Sequence, residues 1–412
     1  MFCSMKDLGI SKTCHIAIYL VAHPSMGGTF QYTLTVLKAF AKIKENNRNG
    51  VSILCITLTK DWNDLLKKDY PQFSVTHIHR NIFHKAVGKV LKSTKFGWFV
   101  WRKINKLLPF AYKDIFKMNL DLILYPSQDD IVHEIDIPAI SVIHDLMHRY
   151  EKQFPESCSI QEIERRERQY KKICKFSTII IVDSKVGEKQ VEESYGNILK
   201  AKVIPLPFIP PPYILEHNPT IDFTYVIEKY KLHSKYVFYP AQFWTHKNHH
   251  NLLKAIDLLK DKGIKVNAVF VGSKKNNYKN VIDLINILSL GEQIRIIDYV
   301  PNEDIVALYK NSIALVMPTF FGPTNIPIVE AMFLGVPVIC SNVYAMQEQV
   351  GNAGLLFDPK SINGIADSIY RIWTDENLRK GLIQRGYKKV KNITIENYTK
   401  QWENIIMEAL KR

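Results

Sequence analysis

Glycine is scarce in this 412-residue chain, at 18 residues, which excludes collagen-like and glycine-rich low-complexity classes. Cysteine is scarcer still. The six are Cys3, Cys14, Cys55, Cys158, Cys174 and Cys340, and no two stand in C-x-x-C spacing. Cys55 and Cys340 lie in apolar, strand-like runs, so the expectation is buried, reduced thiols in a cytosolic protein, with no disulfide framework and no zinc. Long apolar runs are also missing. The uncharged stretch 311–329 has 19 residues, but Pro318, Gly322, Pro323 and Pro327 interrupt it, so it cannot be one transmembrane helix. The apolar run 14–22 is nine residues long and no small-residue cleavage site follows it, so a first core strand is expected there rather than a signal-peptide core. Neither G-x-G-x-x-G nor a Walker sequence occurs.

Hydrophobic residues at 46% and charged residues at 23% are ordinary globular usage. The length predicts two domains. Net charge is +15, which favours an anionic partner: nucleic acid, a membrane surface or a phosphorylated substrate. The charge is concentrated. Between Arg80 and Met118 there are ten Lys and Arg against the single acid Asp114.

The first half alternates short Ile/Leu/Val-rich runs (15–22, 51–58, 122–125, 139–144, 178–182) with helical spacing such as that of 29–44. This is the pattern of a parallel α/β sheet buried on both faces. The stretch 204–213 carries five prolines in ten residues, which suits a semi-rigid linker and marks the domain boundary. Strand runs then resume at 236–239, 268–272, 294–297, 313–317 and 336–340, with a helix from about Asn248. The last 50 residues read as helical.

Ligands of open α/β sheets bind beyond the strand carboxyl ends, so each strand exit is a candidate site. The first exit, His23-Pro-Ser-Met-Gly-Gly-Thr29, places the N–H groups of Gly28 and Thr29 where an anion could sit; a plain tight turn explains it equally well. His144 and Asp145 end an apolar strand, as a site pair or as a satisfied structural pair. Ser184 reads as a helix N-cap. Lys247 precedes a helix start, where the macrodipole disfavours a cation, and a phosphate between the two would account for it. His246 and His249 have no nearby carboxylate in sequence and are not read as metal ligands. In Pro318-Thr-Phe-Phe-Gly-Pro-Thr-Asn-Ile-Pro-Ile-Val-Glu330-Ala-Met, Pro327 fits a first helical turn. Thr324, Asn325 and Ile326 then line a helix N-terminus, and Glu330 lies one turn in, able to accept from ligand hydroxyls or simply to favour the dipole.

At these residues the chain resembles the retaining GT-B glycosyltransferases of glycosyltransferase family 4 over nearly its whole length. The Gly27-Gly28 loop, Val-Ile-His-Asp145, Ile-Val-Asp-Ser184, the Lys247 helix start and Asn325-Ile-Pro-Ile-Val-Glu330-Ala-Met with Gly335-Val-Pro-Val-Ile occur in the family's order. The resemblance implies two Rossmann-like domains, 1–207 on the acceptor side and 208–392 holding a nucleotide-sugar, facing across a cleft, with 393–412 crossing back to the first domain. It implies that Glu330 binds the ribose hydroxyls and that Lys247 and the N–H groups of Thr324, Asn325 and Ile326 hold the diphosphate. It places Gly28 near diphosphate and acceptor, His144 under the transferred sugar, and Tyr299 and Val300 beside the base. Lys247, Glu330 and His144 are the expected catalytic set. Two positions depart from the family: Gly322 where an acid is common, and Gln242 where an arginine is common.

The implied reaction transfers a hexosyl-type sugar from a UDP- or GDP-linked donor to a glycan or lipid-linked acceptor, with retention and without metal or other cofactor, in cell-surface polysaccharide assembly. Lys85, Lys89 and Lys92 share a helical stripe followed by Phe96, Trp98, Phe99 and Trp101, which suits an anionic membrane surface as well as a solvated basic face over core aromatics. No nucleic-acid motif accompanies the charge. The expectation is a cytoplasmic enzyme at the inner face of the plasma membrane. A GT-B epimerase or phosphorylase has no supporting carboxylate or pyridoxal signal. A catalytically silent scaffold draws on Gly322 and Gln242.

Overall fold

The computed structural model describes residues 13–46, 50–58, 61–77, 97, 100–101, 103–104, 113–217 and 223–412. Among the described residues thirteen strands form in chain order: β1 (Cys14–Leu20), β2 (Val51–Thr57), β3 (Ser74–His77), β4 (Leu122–Tyr125), β5 (Ala139–Val142), β6 (Ile179–Val182), β7 (Lys202–Pro205), β8 (Val237–Pro240), β9 (Ala268–Val271), β10 (Ile294–Ile297), β11 (Ala314–Met317), β12 (Val338–Ser341) and β13 (Gly354–Phe357). They make a seven-stranded sheet ordered β3-β2-β1-β4-β5-β6-β7 and a six-stranded sheet ordered β10-β9-β8-β11-β12-β13. Every pairing is parallel. The reason is visible in the residues. β4, β5, β6, β9, β11 and β12 are buried at every position, and strands covered on both faces by crossover helices need continuous apolar runs.

The first unit gathers 1–144, 164–207 and 394–412. Its closing helix, Ile395–Lys411, is capped by Thr394, whose hydroxyl accepts from the Asn397 N–H. It packs on the helix Gly28–Asn46 through Trp402 against Phe40, with ring centroids 5.5 Å apart. The second unit gathers 208–393 and also 145–163. The sequence reading placed 145–163 with the first domain, so this is a correction.

Its cause is a buried anchor. The Glu156 carboxylate accepts from the His246 ring Nδ1 (2.5 Å), the His246 backbone N–H (2.9 Å) and the Asn276 amide (2.8 Å). Burial alone would raise the Glu156 pKa, but these hydrogen bonds outweigh it and hold the carboxyl down at about 2. Phe154 adds apolar contact, stacking on Phe320 at 5.5 Å. Burial lowers the His246 pKa, so the ring is neutral at pH 7, and removing the carboxylate leaves its buried donors unpaired at a cost of about 3 kcal/mol. Glu156→Ala should therefore lower the urea midpoint at pH 7. A depressed carboxyl pKa contributes stability that is full above the unfolded value of 4.5 and is lost as pH falls toward about 2. The gap between wild type and Glu156→Ala should therefore shrink at pH 3, and equal gaps at both pH values would refute the anchor.

Candidate functional site

In both sheets the strand order reverses beside the first strand of the unit, between β1 and β4 and between β8 and β11. Such a switch point opens a crevice beyond the strand carboxyl ends. In the second unit the two chains leaving it carry Lys247 and Asn325.

From β8 the backbone reaches a single 3-10 turn, Thr245–Lys247, and then Asn248, which adopts a left-handed φ of 59° before the helix His249–Asp261. The Asn248 amide donates to the carbonyls of Pro318 (2.8 Å) and Pro359 (2.9 Å). The Lys247 carbonyl accepts from the Tyr239 hydroxyl (2.7 Å). These side-chain donors thus fix the main chain from which the lysine starts. Its Nζ donates to the Asn325 side-chain oxygen at 3.4 Å. Burial lowers the Lys247 pKa to about 8, against the opposing pull of Asp145 and Glu156. A half-buried ammonium whose hydrogen-bond partner is long and neutral can accommodate an anion, and a bound phosphate would raise its pKa again.

From β11 the chain runs to Asn325, the N-cap of the helix Ile326–Phe333, with proline in the first turn as the sequence predicts. The helix ends with Val336 N–H donating to Ala331 O (2.8 Å) and Gly335 N–H to Met332 O (3.3 Å), with Gly335 at φ 72°. Gly322 sits at φ 145°, and a Cβ there would meet the Asn325 side-chain nitrogen at 2.6 Å. Glycine at 322 and asparagine at 325 are thus complementary, and an acid does not fit at 322 in this backbone. The structure corrects one expectation here. The Asn325 N–H is given to the Gln349 side-chain oxygen (3.0 Å), and Gln349 donates back to the Asn325 carbonyl (2.8 Å), so this N–H is committed within the protein. Nothing in the sequence marks Gln349, which comes from the separate helix Met346–Val350.

Glu330 is 5% exposed. Its two oxygens accept from the hydroxyls of Tyr213 (2.8 Å) and Tyr309 (2.7 Å). Burial raises its pKa while both tyrosines oppose the rise. Each oxygen keeps a second lone pair, so the carboxylate is oriented rather than spent. Sequence reasoning missed both tyrosines. Gln242 turns its side-chain oxygen to the Trp244 indole N–H at 2.9 Å. Val300 is 6% exposed with its side chain in the core, whereas Tyr299 beside it at the same strand exit is 85% exposed. The His246 ring is bonded to Glu156, and His249 is buried with its ring stacked on Phe243 at 4.6 Å. Burial, together with the nearby Lys247, His250 and His246, pushes the His249 pKa down to about 3. Among the described residues no three His, Cys, Asp or Glu cluster as metal ligands.

In the first unit Gly28 is exposed at the start of the helix Gly28–Asn46, directly after the β1 exit. His144, beyond β5, places its Nε2 3.0 Å from the Pro126 carbonyl beyond β4. Tyr32 from the Gly28 helix meets its ring edge-on at 4.9 Å. The unit therefore brings Gly28's helix and His144 to one end of its own sheet. Ser184 caps its helix, accepting from the Gly187 N–H, as expected.

Of the expected membrane-facing residues, Lys85, Lys89, Lys92 and Trp98 lie outside the described residues. Trp101 is a correction: it is 2% exposed, a core indole unable to reach a surface. Among the described residues no helix is long and apolar enough to cross a membrane.

Residues 226–389 match the family model described as glycosyl transferases group 1. The O-antigen chain mannosyltransferase B of Escherichia coli is 33% identical over 181 residues, 43% of this chain and 48% of that protein, so the match spans about half the length of this relative. Among solved structures, the sucrose-phosphate synthase of Thermosynechococcus elongatus superposes with a TM-score of 0.73 at 19% identity, covering 96% of this chain and 98% of that one. Anabaena Alr3699/HepE, in complex with UDP and glucose, gives a TM-score of 0.71 at 16% identity, covering 96% and 99%. The likeness in fold extends over nearly the whole chain, while the family model is matched over 226–389, a stretch that includes Lys247, Asn325 and Glu330. The chain has the two Rossmann-like units of the GT-B fold, and residues 226–389 of the second match the glycosyl transferases group 1 model.

Proposed function

We propose that this protein transfers a hexosyl sugar from a nucleotide-diphosphate sugar to a glycan or lipid-linked acceptor, with retention, during cell-surface polysaccharide assembly. The observation that carries the reading is the meeting of Lys247 and Asn325 at the switch point of the second sheet, with Glu330 one turn behind. The diphosphate lies against Lys247, and the ribose hydroxyls use the free lone pairs of Glu330. The bond from the anomeric carbon to the diphosphate oxygen breaks, and the acceptor oxygen bonds on the same face. The acceptor proton passes to the departing diphosphate. Lys247 stabilises the charge that grows there, and the fixed loop supplies that charge without reorganisation. His144 and Gly28 serve the acceptor side.

The E. coli mannosyltransferase supports a polysaccharide role, and the UDP complex of the Anabaena protein supports a UDP-linked donor, with GDP the other candidate. The basic stretch 80–118 suits a cytoplasmic enzyme held at an anionic membrane face. A silent scaffold is disfavoured, because its main support, glycine at 322, is matched by Asn325.

Thermal stabilisation by UDP, GDP, ADP and CMP at equal concentration tests the donor assignment. A nucleotide at a hundred times its Kd adds about 2.7 kcal/mol. One clear winner is expected. No shift from any of them would overturn the donor site.

A further inference from the structure

A cavity of about 530 Å³, in the range of small-ligand sites, lies in the second unit. It opens at the exits of β12 and β13 and is closed on one side by the segment 145–163. Lys247, Asn325 and Glu330 do not line it. Its apolar walls are Phe320, Tyr344 and Phe357. Its polar rim carries Glu151, Asn342, Asp358 and Lys360. Two carboxylates against one ammonium disfavour a phosphate or other anion. The polar rim disfavours a purely apolar guest. Aromatic faces beside amide and carboxylate groups suit a pyranose, which has C–H faces and hydroxyl edges.

Two further observations mark the place as built. Tyr344 holds a φ of 49°, a conformation uncommon for an aromatic residue and one that persists only when its surroundings enforce it. They do: its hydroxyl bonds Glu151 and its ring meets Phe321 edge-on at 5.0 Å. The cavity also shares its wall with the loops of the donor site. Pro359 lines it and accepts from Asn248, next to Lys247 (2.9 Å), and the Phe320 N–H donates to the His246 carbonyl (2.8 Å).

We propose that this cavity is a neutral-saccharide subsite that holds a sugar unit of the acceptor glycan apart from the donor; the acceptor role rests on the glycosyltransferase reading above, the saccharide binding does not. The test is saturation-transfer NMR on the full chain with the methyl α-glycosides of mannose, glucose and galactose. Transfer to at least one is expected in wild type. Asn342→Ala and Lys360→Ala each change one exposed rim side chain and should weaken that binding about fivefold, the worth of a hydrogen bond. Excess UDP or GDP should leave the signal in place. The subsite is overturned if no glycoside receives transfer, if neither variant alters it, or if nucleotide abolishes it. Nucleotide thermal shifts on the same samples separate the two readings. Glycoside binding that depends on Asn342 without any nucleotide shift keeps the subsite and removes the transferase assignment.

Discussion

Lys247→Ala in the full chain lowers turnover of the sugar nucleotide by about 100- to 1,000-fold, the usual loss when one preorganised group facing transition-state charge is removed. The fold should survive, because none of the bonds that place this residue uses its own side chain: its carbonyl takes the Tyr239 hydroxyl, and the tie to Pro318 and Pro359 comes from the Asn248 side chain. The pH profile adds a signature that a structural role would not give. Burial sets the free lysine's pKa to about 8. Below that value the amine is charged and attracts the diphosphate. Above it the protein must take up a proton to bind, so nucleotide affinity falls, approaching roughly tenfold per pH unit. Titration calorimetry between pH 7 and 9.5 should show this fall in wild type and a flat profile in Lys247→Ala. A wild-type affinity that does not change through pH 8, or a variant with normal turnover, would remove Lys247 from the site.

Glu330→Ala should act on binding and stability together. It strips the carboxylate from the hydroxyls of Tyr213 and Tyr309, leaving Tyr213 unpaired and Tyr309 only its long bond to the Pro327 carbonyl (3.4 Å), at a cost of about 3 kcal/mol in total. For a unit of this size that is a fall in Tm of roughly 6–12 °C. Nucleotide binding should be lost as well. Tyr213→Phe separates the two effects. It removes one hydrogen bond, about 1 kcal/mol, leaves the carboxylate present, and should weaken nucleotide binding without abolishing it. If Glu330→Ala melts and binds like wild type, the carboxylate is neither the ribose contact nor the keystone described here.

Much of the scaffold was legible because buried parallel strands announce themselves. The runs 122–125 and 294–297 coincide with β4 and β10, and the other predicted runs differ from their strands by a residue or two at either end. β3 was not legible: Ser-Val-Thr-His is an edge strand with no buried position. β7 was concealed by the proline run that begins inside it, and β13 by its half-exposed residues. In the site, residues sitting at a helix start or strand exit were found, since local spacing marks them. Their partners were not. Gln349 reaches Asn325 across 24 positions, Glu156 reaches His246 across 90, and Tyr213 reaches Glu330 across 117. No periodicity encodes such pairs. Trp101 shows the opposite failure: beside lysines in sequence it looked like a surface aromatic, yet the fold buries it.

The fit between Gly322 and Asn325 restricts how this loop can change over generations. A side chain arriving first at 322 meets the Asn325 amide and an unfavourable backbone angle. Shortening Asn325 first clears the space but leaves Lys247 without its hydrogen-bond acceptor. Each single step leads through a poorer protein, so the two positions are energetically coupled, and a sequence that drifts here meets a valley rather than a ridge.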